Sequence, residues 1–280
     1  MNKQLLKEFI ENALKEDVGD GDHSSMACIP ANAKGKAQLI VKEEGVLAGV
    51  EVAKAIFEQV EPEIVVDIFL KDGALIKPGD VVLHVSGSTQ ALLKSERLVL
   101  NVMQRMSGIA TRTNEYVRKL DGLSTKILDT RKTTPGMRML EKEAVKIGGG
   151  ENHRMGLYDM IMLKDNHIDF AGGIEKAILA VQKYLKERKK DLNIEVEVRN
   201  MEELKEVMRV GGVHRIMLDN FDVETTRKAV KLINGRFKTE SSGGITMDAF
   251  RKYAETGVDY ISVGALTHHI KSLDLSLKAL

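Results

Sequence analysis

Arg131, Lys132, His153, Arg154 and Lys164 fall within one stretch, residues 129–168, which reads DTRKTTPGMRMLEKEAVKIGGGENHRMGLYDMIMLKDNHI. The arginines and lysines carry fixed positive charge at neutral pH, and His153 adds a titratable group. These side chains are not scattered along a helix among acids, as the basic residues of 183–190 are. Arg131 and Lys132 stand directly before a Thr-Thr-Pro-Gly turn. His153 and Arg154 follow the glycine run 148–150, and Lys164 ends the apolar segment 160–163. Cations gathered at loop positions suit the binding of an anion, because a guanidinium pairs with a carboxylate or phosphate through two parallel hydrogen bonds. A solvated basic loop is the bland alternative, and the spacing disfavours it.

Acids and glycines supply the rest of the chemistry. Glu195 and Glu197 alternate in EVEV, so on a strand both point to one face. Asp219 sits in MLDN, and Ser242, Gly243 and Gly244 form the start of SGGIT. Gly264 lies in SVGALT. Glycine lets a backbone approach a ligand closely. Charge elsewhere is balanced: the net charge is +1 with 30% charged and 43% hydrophobic residues. That balance argues against bulk attraction to nucleic acid or an anionic membrane surface. Cys28 is the single cysteine, which excludes an intrachain disulfide and a Cys-based zinc site. It is expected to be a buried or inert thiol. Lys3, Lys7, Glu8 and Glu11 interrupt any signal-like apolar region, and no long apolar run spans a membrane, so a cytoplasmic protein is expected.

These residues need a scaffold. Asn2 can cap a first helix in which Leu5, Leu6, Phe9, Ile10, Ala13 and Leu14 recur at helical spacing. The acidic run 17–22 lacks the ligand spacing of a calcium loop. Short strands follow at 38–42, 45–50, 64–70 and 81–86, with one helix at 52–60, which reads as a small α+β open sandwich. A long helix from about 89 to 120 is apolar on more than one side, which suits burial between domains or subunits. Beyond residue 120, apolar strands at 126–129, 160–163, 194–198, 215–218, 236–240 and 260–263 alternate with helices. The helix between the first two is expected at 137–147. Such repetition predicts a parallel sheet with right-handed crossovers. Glycines after the last two strands favour a barrel, and too few strands are visible to close one. The fold class expected is α/β, an incomplete six-stranded (β/α) barrel with an N-terminal α+β open sandwich domain. The expected division is 1–115, 116–270 and a C-terminal segment 271–280 packing back on the first domain.

Taken in order, TRKTTPG, GGGENHRMGL, LKDNHI, EVEV, MLDN, SGGIT and SVGALT resemble the quinolinate phosphoribosyltransferase family over essentially the whole chain. The resemblance implies transfer of phosphoribose from 5-phosphoribosyl 1-diphosphate to quinolinate with decarboxylation. The products are nicotinate mononucleotide, diphosphate and CO2, in de novo NAD biosynthesis. Carried over by position, Thr130, Arg131, His153, Arg154 and Lys164 would hold the dicarboxylate. Arg105, in NVMQRMSGIAT, would enter from a partner chain, which implies a homodimer or higher even oligomer. Lys132 would face phosphoribosyl diphosphate. Glu197 and Asp219 would lie near the ribose and Mg2+, directly or through water, and Ser242, Gly243, Gly244 and Gly264 would receive the terminal phosphate. Lys132, Glu197, Asp219 and Lys164 would form the catalytic set. No covalent nucleophile is required.

Glu143 stands where the family more often has an aromatic residue, and His214-Arg215 replaces a small-acidic pair. His167 reads as a proton donor or a hydrogen-bonded structural histidine, and His268-His269 as a surface or interface pair. Met155, Met160, Met162 and Met217 read as core filler. Two other readings compete: the related phosphoribosyltransferase-fold proteins of molybdenum transport operons, and a non-catalytic phosphate-binding barrel. The paired acids count against the second, because they add negative charge to a phosphate pocket. A transferase using nicotinate itself would need fewer cations.

Overall fold

The side chain of Asn2 accepts hydrogen bonds from the backbone N–H groups of Gln4 and Leu5, capping α1 (Lys3–Val18), the helix its apolar spacing predicts. The computed structural model describes residues 1–280. Its further elements are α2 (His23–Cys28), β1 (Lys34–Val41), β2 (Gly45–Val46), α3 (Val50–Val60), β3 (Val65–Ile68), β4 (Leu75–Ile76), β5 (Val81–Ser88) and α4 (Thr89–Arg118). Then come β6 (Lys126–Leu128), α5 (Arg138–Ile147), β7 (Ile161–Leu163), α6 (Asp165–Ala171), α7 (Ile174–Arg188), β8 (Ile194–Val198) and α8 (Met201–Val210). The chain ends through β9 (Arg215–Asp219), α9 (Val223–Ile233), β10 (Lys238–Ser242), α10 (Phe250–Ala254), β11 (Tyr260–Ser262), α11 (Ala265–His268) and β12 (Leu275–Ala279).

Two compact units divide the chain. The first comprises Met1–Asn114, Thr133–Gly149 and Ala265–Leu280. Its sheet is antiparallel in the order β12-β1-β5-β3, so the last strand of the chain pairs with the first. The Thr133–Gly149 segment and residues 265–270, expected with the barrel, group here. Close packing explains the former: a Cβ on Gly148, at the end of α5, would lie 2.4 Å from the Ala110 carbonyl oxygen of α4. Asp22 of the acidic run caps α2 by accepting from the Ser25 N–H at 3.1 Å. Cys28, expected to be buried or inert, is free and exposed, because α2 is a short surface turn of helix.

Glu115–Lys132 and Gly150–Gly264 form the second unit. Its six strands are parallel in the order β6-β11-β10-β9-β8-β7. The end strands β6 and β7 do not pair with each other, and Glu151 alone bridges to β6, donating its N–H to the Ile127 carbonyl at 2.9 Å. The barrel is therefore incomplete.

Period-two alternation assigns the two faces of this sheet. Leu163, Val196, Val198, Ile216 and Leu218 point one way and pack with Ile174, Ile178, Leu204, Val207 and Ala229 of the covering helices. Glu195, Glu197, Arg215, Met217, Asp219, Glu240 and Ser242 take the alternate positions. Register aligns them: Glu195 lies opposite Arg215, Glu197 opposite Met217, Glu240 opposite Met217 and Ser242 opposite Asp219. In a parallel sheet all carboxyl ends share one rim, which is where barrel chemistry sits.

Candidate active site

At that rim a cavity of about 300 Å³ opens in the second unit. Thr130, Arg131 and Lys132 reach it directly after β6, His153 and Arg154 from the segment following Gly150, Lys164 from the end of β7, and Ser242 from the end of β10. Consecutive strand residues would point to opposite faces. Arg131 and Lys132 can both line the cavity because β6 ends at Leu128 and Thr130 turns the chain, its Oγ1 accepting the Lys132 N–H at 3.0 Å.

The cavity is cationic enough for its own members to feel the crowding. Burial, and next the neighbouring Arg131 charge, pull Arg154 below the usual arginine range. Arg154 Nη1 donates to the Met160 carbonyl at 3.1 Å, which holds the side chain in place. His153 is buried with both ring nitrogens directed at protein groups. Nδ1 accepts the Arg154 N–H at 2.7 Å, which leaves the ring proton at Nε2. Nε2 lies 3.0 Å from Glu195 Oε2 and 3.5 Å from Glu240 Oε2.

Glu195 and Glu240 are fully buried beneath the cavity. Together with His153 they offer three ligand atoms within 4.8 Å of one another. Arg215 already meets their charge, its Nη1 2.7 Å from Glu240 Oε2 and its guanidinium 4.3 Å above the Tyr260 ring. The group is an ion-pair network at the floor of the cavity, which His153 and Glu240 help to line. Burial raises the Glu240 carboxyl from its ordinary 4.5 to about 7, helped by the adjacent Glu195 charge, and burial raises Glu195 as well. The folded chain thus binds this proton more tightly than the unfolded chain. The stability it brings is full below about pH 4.5 and lost as pH rises through about 7. Glu240→Gln cannot ionise, so it should gain on wild type by on the order of 2 kcal/mol between about pH 5 and pH 8. Thermal melts across that range check it, and a difference that does not change with pH contradicts it.

The acidic side of the rim adjoins the cationic one. Lys164 Nζ lies 3.4 Å from Glu197 Oε2. Burial raises the Glu197 carboxyl; Lys164 opposes that rise and the Asp219 charge adds to it. Two carboxylates that repel one another, half-buried and facing the same way, fit a divalent cation held through oxygen ligands, such as Mg2+. Asp219 accepts from Asn220 Nδ2 at 2.7 Å. Gly243 has φ 94°, and a Cβ there would lie 2.2 Å from Asn220 Oδ1, so the glycine is needed where MLDN meets SGGIT. Gly244, φ 58°, has open space where its Cβ would be, and Gly264 follows β11 by two residues.

Arg105 lies in the first unit on α4, where it pairs with Glu141 Oε1 at 2.9 Å. His167 accepts the Lys164 N–H at its Nδ1, 3.1 Å away, a structural bond at the start of α6. Several lining residues escaped the sequence reading. Met162 and Met217, taken as core filler, line the cavity, as do Glu240 and Ser262. Period-two counting back from Lys164, Asp219, Ser242 and Gly264 is the signal that would have placed them.

A parallel α/β sheet whose strand ends gather cations, repelling acids and a glycine turn defines a class: an enzyme for anionic, phosphate-bearing substrates. Residues 22–107 match the family model described as quinolinate phosphoribosyl transferase, N-terminal domain, and residues 109–278 match that of the C-terminal domain. The chain belongs to the quinolinate phosphoribosyltransferase family. It is 48% identical to the chloroplastic nicotinate-nucleotide pyrophosphorylase [carboxylating] of Oryza sativa subsp. japonica, an alignment covering 98% of this chain and 77% of that one. It is 45% identical to the probable nicotinate-nucleotide pyrophosphorylase [carboxylating] of Bacillus subtilis, over 99% of this chain and 94% of that one. The crystal structure of NadC from Streptococcus pyogenes superposes with a TM-score of 0.93 at 40% identity, covering 100% of this chain and 99% of that one.

Proposed function

We propose that the chain transfers phosphoribose from 5-phosphoribosyl 1-diphosphate to quinolinate and releases CO2, giving nicotinate mononucleotide for NAD biosynthesis. The observation that carries this reading is the cavity lined by Arg131, Lys132, Arg154 and Lys164, in which burial, and next the Arg131 charge, pull Arg154 below the usual arginine range. Quinolinate brings two adjacent carboxylates, and guanidinium forks suit them. Arg131, Arg154 and Lys164 hold the dicarboxylate, with Thr130 beside them. His153 keeps the Arg154 backbone in position through Nδ1. Arg105 completes the set from the partner chain of a homodimer.

Lys132 faces the diphosphate. Glu197 and Asp219 stand by the ribose hydroxyls and would hold Mg2+, directly or through water. Mg2+ bound there supplies positive charge to the diphosphate. Ser242, Gly243, Gly244 and Gly264 offer backbone N–H groups to the 5′-phosphate. As the bond from the ribosyl carbon to diphosphate breaks, an oxocarbenium-like carbon forms and the pyridine nitrogen captures it. The ring nitrogen then carries positive charge. That charge stabilises the electron pair left on the neighbouring ring carbon when its carboxylate departs as CO2, and this carbon then takes up a proton. Fixed charges placed in advance supply the acceleration, with no covalent intermediate. No helix is long and apolar enough to cross a membrane.

The test is direct. Incubation with quinolinate, phosphoribosyl diphosphate and Mg2+ should release CO2 and nicotinate mononucleotide. Nicotinate in place of quinolinate should be used at least about a hundredfold less efficiently, because it lacks the second carboxylate that a guanidinium fork would hold. Comparable turnover of nicotinate would sink the assignment.

A further inference from the structure

Glu141 of α5 is completely buried, and glutamate is almost never so unless paired. Its Oε1 accepts from Arg105 Nε at 3.0 Å and from Arg105 Nη2 at 2.9 Å. Its Oε2 accepts the Thr134 backbone N–H at 3.1 Å. Nη2 of Arg105 also donates to Thr134 Oγ1 at 3.1 Å and to the Thr267 carbonyl at 2.6 Å. A guanidinium has five N–H bonds in a rigid plane. Here Nε and Nη2 are engaged inside the chain, Nη1 is not, and the side chain stays 23% exposed.

Folding alone does not ask for this arrangement. Apolar residues of similar volume fill a buried site at equal or lower cost than an ion pair. A carboxylate that fixes one edge of a guanidinium and leaves the other nitrogen open makes sense when that nitrogen has a ligand to meet. We propose that Glu141 is a positioning residue for substrate binding: it fixes the guanidinium plane of Arg105 so that Nη1 is presented to a carboxylate of quinolinate. It also ties that arginine to Thr134, in the turn that follows directly on Arg131 and Lys132 in the chain. The pair is neutral as a unit, so Arg105 contributes direction more than net charge, and its effect is on how the dicarboxylate is oriented. This inference rests on the assignment of Arg105 to quinolinate.

The experiment is a double-mutant cycle in steady-state kinetics, with quinolinate varied at saturating phosphoribosyl diphosphate. The proteins are wild type, Glu141→Gln, Arg105→Ala and the double variant, with folding of each checked by thermal melts. Glu141→Gln should raise KM for quinolinate by about tenfold or more and change KM for phosphoribosyl diphosphate by less than about twofold. In the Arg105→Ala background the same substitution should add less than about twofold, since the residue acts through Arg105. Thr134→Val, which removes only the hydroxyl accepting from Nη2, should raise KM for quinolinate by a smaller factor. It carries the test alone if Glu141→Gln does not fold, and an unchanged KM there then overturns the proposal. An unchanged KM in folded Glu141→Gln, or equal effects with and without Arg105, overturns the positioning role and leaves Arg105 in place. An unchanged KM in Arg105→Ala removes both.

Discussion

Lys132→Ala is expected to lower kcat by about two to three orders of magnitude while quinolinate still binds measurably in calorimetry. Lys132 and Arg131 are neighbours in the chain and both line the cavity, yet they are given different ligands. The difference in role is what the family resemblance implies, and chemistry is consistent with it. Departing diphosphate gains charge as its bond breaks, and a compact ammonium at that point stabilises the transition state more than the ground state. The carboxylates of quinolinate keep their charge through the transfer, and in the proposed arrangement guanidinium forks hold them. Loss of Lys132 should therefore appear in kcat and leave Arg131, Arg154 and Lys164 to bind the dicarboxylate. Calorimetry that found quinolinate binding abolished, with diphosphate handling intact, would show that the two neighbours have exchanged roles.

How much of this could be read beforehand depended on whether a segment announces itself by apolar period. The expected strand at 194–198 is β8 without a change of boundary, because Ile194, Val196 and Val198 must meet the helices while Glu195 and Glu197 turn away. The expected strand at 236–240 is instead Lys238–Ser242. Asn234 and Gly235 adopt left-handed backbone, which delays the extended run, and KTESS carries polar side chains into the interior at Thr239, Glu240 and Ser241. No hydrophobic pattern marks such a strand. The expected strand at 45–50 shrinks to β2, because Gly49 at φ 96° starts α3 at Val50. Two-residue strands and the six-residue α2 are too short to show a period.

The site divides in the same way. Cations at the rim were legible because clustered charge at loop positions has few other uses. The buried network of Glu195, Glu240, His153 and Arg215 was not, since its members come from four separate segments and meet only when the strands take their register. Glu141 was hidden for the same reason. In sequence it is one acid in LEKEAV; only its burial against Arg105 distinguishes it from Glu143, which is not buried.

Two inactive variants should restore activity to each other if Arg105 serves the partner's site. The apolar side chains of α4 are mostly buried within the chain, while the Arg105 side chain stays 23% exposed; two-fold dimers are the commonest assembly. One protein carries Arg105→Ala together with Glu141→Gln, so that no carboxylate is left buried without its partner. The other carries Lys164→Ala, at a half-exposed side chain. Each homodimer lacks a substrate-binding group in both sites and should turn over little at quinolinate well below saturation, where the assay is run. A mixed dimer is different: one of its sites carries all the substitutions and the other carries none. With statistical exchange about half the dimers are mixed and half their sites intact, so activity should return to about a quarter of wild type. Subunit exchange is followed by mass spectrometry. If exchange is seen and no activity returns, Arg105 does not act in the partner's site.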